Sequence, residues 1–347
     1  ATMDFNSNPV YWGAFLVFVA FLLALDLGIL NRKAHAPSLR ESAALSAVWI
    51  SIALAFGVLV WAAIGPRQGI EYFTGWVLEK ALSVDNLFVF VVIFSFFRVP
   101  PQYHHRVLFW GILGAIIMRG VLIVVGASLL HQFEWIIYIF GAFLIYTGIK
   151  LSRQSDDEEP EVGNNPILRL AQRVLPLSSD YHEEKFLVRH AGRLLFTPLV
   201  LVLIVVETTD LVFAVDSIPA VIAVTKEPFI IFTSNIMAIL GLRALYFLLA
   251  AAMTQFRYLK PALAFILTFI GLKMVIEKLF HDPIHTFLHE VMKVGDPEYF
   301  LVVASLAIVL AVLVFGVVAS IVYNRRHPGE HTHIKAAEHA LEPSGAD

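Results

Sequence analysis

Five acidic residues stand inside long apolar stretches of the sequence, where an ionised side chain is costly. They are Glu79, Asp85, Glu207, Asp210 and Asp216. An ionised carboxylate at the centre of a bilayer costs at least about 2.5 kcal/mol, even on a lenient insertion scale. Carboxylate oxygens are also the ligands that hard divalent cations prefer. The sequence therefore predicts a buried site for a divalent metal ion.

Other oxygen-bearing side chains accompany these acids. We expect Glu79, Asp85, Asp210 and Asp216 to be the metal ligands. Asn86, Glu207 and Ser217 would complete the ion-binding site, and Asp26 and Asn235 would support it. Two acids six residues apart are rotated by 600° and separated by about 9 Å on an unbroken helix, so they cannot hold one ion together. The ligands must come from two helices, or the helix must unwind, and Pro219 offers a reason for unwinding because it lacks a backbone donor. We expect Asp85 and Asp216 to face each other.

Salt bridges inside the membrane are the alternative explanation for these acids. Lys80, Arg119, Arg243 and Lys273 lie within predicted spans and could pair with them. We include Arg119, Arg243, Lys150 and Lys273 as supporting residues of the site. For Asp26, a structural or gating role stays open beside ligation.

The apolar stretches themselves predict the fold class, an all-α membrane protein. The chain has 347 residues, of which 58% are hydrophobic and 15% charged, whereas soluble domains carry about 25% charged residues. A membrane helix needs about 20 apolar residues. Nine such runs occur, at about 10–30, 44–64, 72–97, 107–130, 133–151, 197–224, 229–252, 262–280 and 300–323. The run at 72–97 is polar in its first half and is expected to be kinked or broken.

Basic residues predict the orientation of these nine spans. One alternating set of loops holds 16 Lys and Arg residues, and the opposite set holds only Arg67, Lys226 and Lys293. Because basic loops stay in the cytoplasm, we expect the N-terminus outside and the C-terminus inside.

The same order of features occurs twice along the chain. Glu79, Asp85, Arg119 and Lys150 in residues 72–151 correspond to Asp210, Asp216, Arg243 and Lys273 in residues 197–280. Each unit contains three spans, so the second unit would enter the membrane from the opposite side. This predicts a 3+3 inverted-topology repeat, in which transporters place their sites at the repeat interface.

Two polar segments stand apart from the transmembrane domain of residues 1–323. We expect residues 152–195 to form a cytoplasmic linker with one short helix, and residues 324–347 to form a disordered cytoplasmic tail. His281, His285 and His289 have a spacing that could hold a metal on one helix face, although interfacial packing is the favoured explanation. His104 and His105 are expected in a plain cytoplasmic turn.

Several function classes are excluded or disfavoured. The net charge of −3 and the scattered basic residues give no basis for nucleic-acid binding. The absence of cysteine removes thiolate metal sites and cysteine nucleophiles, and no catalytic motif is present. We expect neither an enzyme nor a resident cofactor.

Two longer motifs resemble the TerC (tellurium-resistance protein C) family. They are EKALSVDNLFVF at 79–90 and ETTDLVFAVDSIPA at 207–220, and TSN at 233–235 and AILGLRALY at 238–246 extend the match. The resemblance implies a multi-pass protein of the bacterial inner membrane, and its Alx-like branch is associated with manganese export. It also implies that the five buried acids belong to the family motif.

Mn²⁺ efflux by alternating access is therefore the expected function, with Ca²⁺ and Mg²⁺ as weaker candidates for the ion. The alternative is a membrane scaffold of a metal or tellurite stress response that recruits partners through residues 152–195. A homo-oligomer and a cytoplasmic partner are left open. The lipid bilayer is the expected environment.

Overall fold

Helices dominate the structure, a computed structural model that describes residues 8–28, 39–133, 135–153, 165–178, 180–182, 184–190, 193–250, 258–291 and 296–326. The first six helices are α1 (Pro9–Gly28), α2 (Leu39–Ala63), α3 (Pro66–Phe96), α4 (Pro101–Gln132), α5 (Ile136–Arg153) and α6 (Pro166–Val174). A hairpin of β1 (Leu187–His190) and β2 (Arg193–Phe196) follows. The remaining helices are α7 (Pro198–Ile222), α8 (Pro228–Ile239), α9 (Leu242–Ala250), α10 (Leu259–Leu279), α11 (His281–Thr286) and α12 (Pro297–Arg326), with a π-helical turn at Phe287–Val291.

Proline fixes where several of these helices begin. It occupies the first turn of α3, α4, α6, α7 and α8. A proline at this position costs no backbone hydrogen bond, because the first amides of a helix have no intrahelical partner. Its fixed φ also suits the helix. The starting points of these helices are therefore encoded locally.

Six described helices are long and apolar enough to cross a membrane. These spans are Pro9–Asp26, Leu39–Ala63, Pro101–Gly126, Ile136–Arg153, Pro198–Ile222 and Tyr299–Arg326. A seventh arises if α8 and α9, which are bent by 43° at their junction, form one span. The chain is thus a multi-pass helical protein.

The two other predicted spans correspond to α3 and α10. With 31 and 21 residues they are long enough to cross, but they are not among the six described helices that are both long and apolar enough. The count of nine spans stays a prediction.

The break in a helix lies elsewhere than expected. The helix α3 is continuous through residues 72–97 up to Phe96, and α7 continues through Pro219 to Ile222, so the predicted break in the first and the predicted unwinding in the second were wrong, while a kink in α3 stays a prediction. Proline removes only one backbone bond, and packing holds the rest of the helix. The break falls instead between α8 and α9, where Gly241 has φ +83°.

The short helix α8 lies at the centre of the molecule. Every residue from Phe229 to Ile239 is buried. It packs against α3 and α4, and α7 packs against α3 and α4 as well. Large apolar side chains are exposed on α1, α2 and α12, among them Val17, Val58 and Phe315, as expected of surfaces that contact lipid.

The segment predicted as a linker contains more structure than one helix. The expected short helix is α6, but the antiparallel hairpin of β1 and β2 was not predicted. Tyr181 donates a hydrogen bond from its hydroxyl to the Phe97 carbonyl at 2.7 Å, and burial raises the pKa of Tyr181 to about 12. Glu184 pairs with His105 and Arg106 at 3.2 and 3.3 Å. The end of this segment is therefore held against the start of α4.

Candidate functional site

A fully buried arginine, Arg119 of α4, organises the centre of the molecule. Its side chain is 0% exposed and forms an ion pair with Glu79 of α3. It also binds Asp210 of α7 in a bidentate manner, with distances of 3.2 Å from Nε to Oδ2 and 3.0 Å from Nη2 to Oδ1. One cation thus joins two predicted metal ligands from the two halves of the chain.

Neutral polar groups complete this cluster. Asn235 of α8 accepts a bond from Arg119 Nη1 at 3.2 Å and donates one to Glu79 Oε2 at 3.0 Å. Ser217 of α7 lies 3.4 Å from Arg119 Nη1. Ser83 donates to Glu79 Oε1 at 3.5 Å. We call Glu79, Ser83, Arg119, Asp210, Ser217 and Asn235 the central cluster.

The charge of the central cluster is unbalanced. Two carboxylates face one guanidinium, which gives a formal charge of −1 when all three are ionised. The salt-bridge alternative therefore describes the contacts of Glu79 and Asp210 correctly, yet one negative charge is left over. Buried ions need compensation, and Lys80, the neighbour of Glu79 in α3, is a described cation that interacts with Glu79 without bonding to it.

Glu207 lies one turn before Asp210 on the same side of α7. Its carboxyl group packs against the backbone of α4 at Gly114, where a Cβ atom would coincide with it. Its Oε2 atom is buried and accepts no hydrogen bond from any described residue. A buried carboxylate oxygen without a donor is a position at which a cation could bind.

Two predicted ligands lie outside the described side chains. Asp85 and Asp216 have helical backbones in α3 and α7, but their side-chain placement is not described. Their neighbours Asn86 and Ser217 are both buried. The predicted approach of Asp85 to Asp216 across the interface stays a prediction.

Asp26 and Arg243 form a separate site. Arg243 Nη2 of α9 lies 2.5 Å from Asp26 Oδ1 of α1, and both residues are buried. Together with Ser42, Trp49 and other residues they line a cavity of about 20 Å³. Arg243, the counterpart of Arg119 in the repeat, thus pairs outside the central cluster.

The predicted lysines lie outside the contacts of the central cluster. Lys150 is exposed in the last turn of α5. Lys273 pairs with Glu277 one helical turn further along α10, at 3.5 Å. Lys80 is partly buried and donates to the carbonyl of Ala238 at 3.0 Å, near the end of α8. Of these cations, Lys80 comes nearest to the acids in sequence, and it caps a helix end.

His104 has structural partners on both sides of its ring. Its Nε2 atom donates to the Val99 carbonyl at 2.9 Å, its Nδ1 atom lies 3.1 Å from the Tyr246 hydroxyl, and the ring stacks on Phe94. His104 is thus a buried packing residue in α4 rather than part of a plain turn. The side chains of His281 and His285 lie outside the described set, as does the tail from 327.

No group of three His, Asp or Glu residues that could hold a metal occurs among the described side chains. That set does not include Asp85 or Asp216. Ser83 is a member of the central cluster that was not among the predicted residues. Ser83 stands four residues after Glu79, a spacing that places both on one helix face, so its contact could have been predicted.

The class of protein follows from the fold and this cluster: a multi-pass helical membrane protein with ionised residues buried between its helices. The chain belongs to the TerC family of integral membrane proteins, whose sequence model matches residues 64–328.

Similar proteins occur in several bacteria. A membrane protein of Myxococcus xanthus is 46% identical over 322 residues, which cover 92% of this chain and 95% of the relative. An Escherichia coli (strain K12) protein, Alx, whose name describes a membrane-bound redox modulator, is 46% identical over 81% of this chain and 90% of its own length. A Rickettsia felis membrane protein is 41% identical over 90% of this chain and 97% of the relative. No solved structure matches the chain.

Proposed function

We propose that the protein exports a divalent cation, Mn²⁺ in preference to Ca²⁺ or Mg²⁺, across the bacterial inner membrane by alternating access. The observation that carries this proposal is the central cluster, a dry group of oxygen ligands with a surplus negative charge at the crossing of four helices. Its acids come from α3 and α7, and its amide comes from α8. An oxygen-only set of this kind suits a hard divalent cation.

Arg119 would act as the countercharge while the ion is away. Its guanidinium holds Glu79 and Asp210 together. A divalent cation that binds these carboxylates would compete with Arg119 for them, because each of their four oxygens already accepts a hydrogen bond. Glu207, Asp85 and Asp216 would supply the remaining negative ligands.

The packing of helices supports the inverted repeat that alternating access requires. If α3, α4 and α5 correspond to α7, α8–α9 and α10, a twofold axis exchanges the α3–α8 contact with the α7–α4 contact. Both contacts are extensive. The same axis would leave the α3–α7 contact and the α5–α10 contact unchanged, because it exchanges the two helices of each pair. Both contacts are present. Transporters with inverted repeats place their ion sites at such an interface.

A pair of close contacts between α5 and α10 has the same symmetry. A Cβ atom at Gly148 would lie 2.7 Å from the Ala264 carbonyl oxygen, and one at Gly271 would lie 2.7 Å from the Gly141 carbonyl oxygen. The sequence correspondence pairs Gly148 with Gly271, and the same offset pairs Gly141 with Ala264. Two contacts of equal length at corresponding positions favour a pseudo-twofold axis between the two helices.

A membrane scaffold that recruits a cytoplasmic partner is the second candidate. The name of the Alx relatives points to redox modulation, yet this chain has no cysteine and therefore no thiol chemistry of its own. A transporter rather than an enzyme or a scaffold accounts better for acids buried at the helix crossing. A scaffold would have no need of them.

Mn²⁺ flux into proteoliposomes that contain only this protein tests the proposal. We expect Asp85→Asn and Asp216→Asn each to abolish flux while leaving thermal stability near that of the parent, because relieving buried negative charge does not unfold the protein. Asp180→Asn, at an exposed acid of the loop before β1, is the matched control and should transport normally. If the double variant at Asp85 and Asp216 still transports at the parental rate, the carboxylate site is wrong and the scaffold gains support.

A further inference from the structure

The helix α6 has an apolar face that α7, the helix it packs against, covers only in part. Leu168 and Ala171 are buried, and the helix packs on α7. The rest of the same face is uncovered: Ile167 is 45% exposed, Leu170 61% and Val174 68%. At 100° per residue these five positions form one continuous face, of which α7 covers only an edge.

The position of α6 along α7 places this face at membrane depth. Asn165, the N-cap of α6, donates from Nδ2 to Thr208 Oγ1 at 3.2 Å. Just beyond the other end of α6, Phe196 donates from its amide to the Pro176 carbonyl at 2.8 Å. The helix therefore runs antiparallel to the first ten residues of α7, a length of about 15 Å or half a bilayer core.

The surface beside α6 is itself apolar and exposed. Leu211, Val212 and Val215 of α7 lie on its outer side with exposed side chains. The uncovered face of α6 is continuous in chemistry with this outer side of a membrane-spanning helix. A lipid acyl chain is the partner that suits both surfaces.

Basic residues occupy the opposite face of α6. Arg169 and Arg173 lie four residues apart, so they share one side of the helix. Long arginine side chains can extend from an embedded helix to the phosphate layer. An amphipathic helix with apolar residues on one side and arginines on the other is typical of the boundary between headgroups and acyl chains.

We propose that α6 is embedded in one leaflet of the bilayer, with Ile167, Leu170 and Val174 against acyl chains and Arg169 and Arg173 on the headgroups of anionic phospholipid. The segment expected to be a free cytoplasmic linker would then be anchored in lipid at this point. A second copy of the chain or a soluble partner is the competing occupant of the same face.

Spin labels at single cysteines test the depth of α6, because the parent chain contains no cysteine. Leu170→Cys and Val174→Cys carry labels on the uncovered apolar face, and Gln172→Cys is the matched control on the polar side. In nanodiscs, we expect a severalfold higher ratio of oxygen to nickel-chelate accessibility at 170 and 174 than at 172. Equal nickel accessibility at the three positions would overturn the proposal. Protection from both reagents at 170 and 174 would also overturn it, and would indicate a protein partner.

The preference for anionic lipid is tested separately. A fluorophore on Leu170→Cys should be quenched severalfold more by brominated phosphatidylglycerol than by brominated phosphatidylcholine at equal mole fraction. Adding Arg169→Gln and Arg173→Gln should abolish that preference, whereas Gln172→Ala should keep it. A preference unchanged in the arginine variant would contradict the headgroup contact. Neither readout depends on transport.

Discussion

At the scale of single residues, Arg119 is the side chain on which most of the buried charge depends. It is the only cation bonded to Glu79 or to Asp210 among the described residues. The sequence suggested an ion pair of Arg119 with the buried acids only as an alternative, because it does not show which charged side chains lie close together. A buried charge that loses its partner is far more costly than a surface charge.

We therefore expect Arg119→Gln to destabilise the protein by about 3–5 kcal/mol, the cost of leaving a buried ion unpaired. Scanning fluorimetry in detergent should show a clearly lower unfolding temperature. Combining it with Glu79→Gln and Asp210→Asn should restore much of the loss, since no unpaired charge then remains in the central cluster. An unfolding temperature equal to the parent for Arg119→Gln alone would contradict the ion-pair assignment.

Gly114 and Glu207 offer a second test at this scale. Because a methyl group at 114 would occupy the space of the Glu207 carboxyl, Gly114→Ala must push that carboxylate away from the helix crossing. If Glu207 contributes to ion binding, the apparent affinity for Mn²⁺ in proteoliposomes should fall by about tenfold or more. Gly13→Ala, where nothing lies within 4 Å of the added atom, should leave transport unchanged. Equal affinities for the two variants would remove Glu207 from the site.

At the scale of elements, the break between α8 and α9 is the main irregularity of the core. It places the fully buried α8 beside α3 while α9 carries Arg243 towards Asp26. Gly241 makes the turn possible, because its φ of +83° is disfavoured for residues with a side chain. The aromatic ring of Trp49 packs directly over it.

Gly241→Ala should therefore lower stability for two reasons. A left-handed backbone conformation costs an L-residue roughly 1–2 kcal/mol, and the new Cβ would lie 2.5 Å from Trp49 Cβ. Thermal unfolding should show the loss, and Trp49→Leu should not recover it, because leucine keeps the Cβ and Cγ atoms that clash. Gly126→Ala, whose Cβ meets Ile222 at an ordinary 3.4 Å, should cost little. A neutral Gly241→Ala would mean that the break does not need glycine.

At the scale of the whole molecule, the two arginines that correspond in the proposed repeat have different partners. Arg119 binds an acid from each half, whereas Arg243 binds Asp26 in α1. The helices α1 and α2 lie outside the proposed repeat. Asp26 of α1 thus pairs with Arg243, one of the two arginines that correspond in that repeat. Asymmetry of this kind would let the two faces of a transporter open differently.

The orientation of the whole chain can be tested by labelling of single cysteines. Cysteines at Phe5 and Glu290 should react with an impermeant maleimide on intact cells, since the charge distribution places both outside. Cysteines at Pro160 and Glu330 should react only after permeabilisation. Labelling of position 160 from outside would overturn both the nine-span count and the inverted repeat.

The sequence by itself determined the class of the protein and identified the acids that stand inside its apolar runs. Apolar runs of bilayer length need no tertiary information, because lipid imposes the length directly. Buried carboxylates are conspicuous for the same reason, since each carries a cost that only a partner or an ion can offset. Prolines such as Pro66 and Pro198 marked helix starts through their own geometry.

Only the tertiary structure decided which charge pairs with which, and where the core helix breaks. Arg119 and Arg243 are equivalent in the sequence pattern, and only the packing of α4 against α7 and the approach of α9 to Asp26 of α1 give them different partners. Pro219 looked like the natural break, but α7 stays helical through it, whereas Gly241 adopts a turn that no pattern of apolar residues reveals. Pairing and bending depend on contacts between residues far apart in the chain, and for that reason local sequence does not specify them.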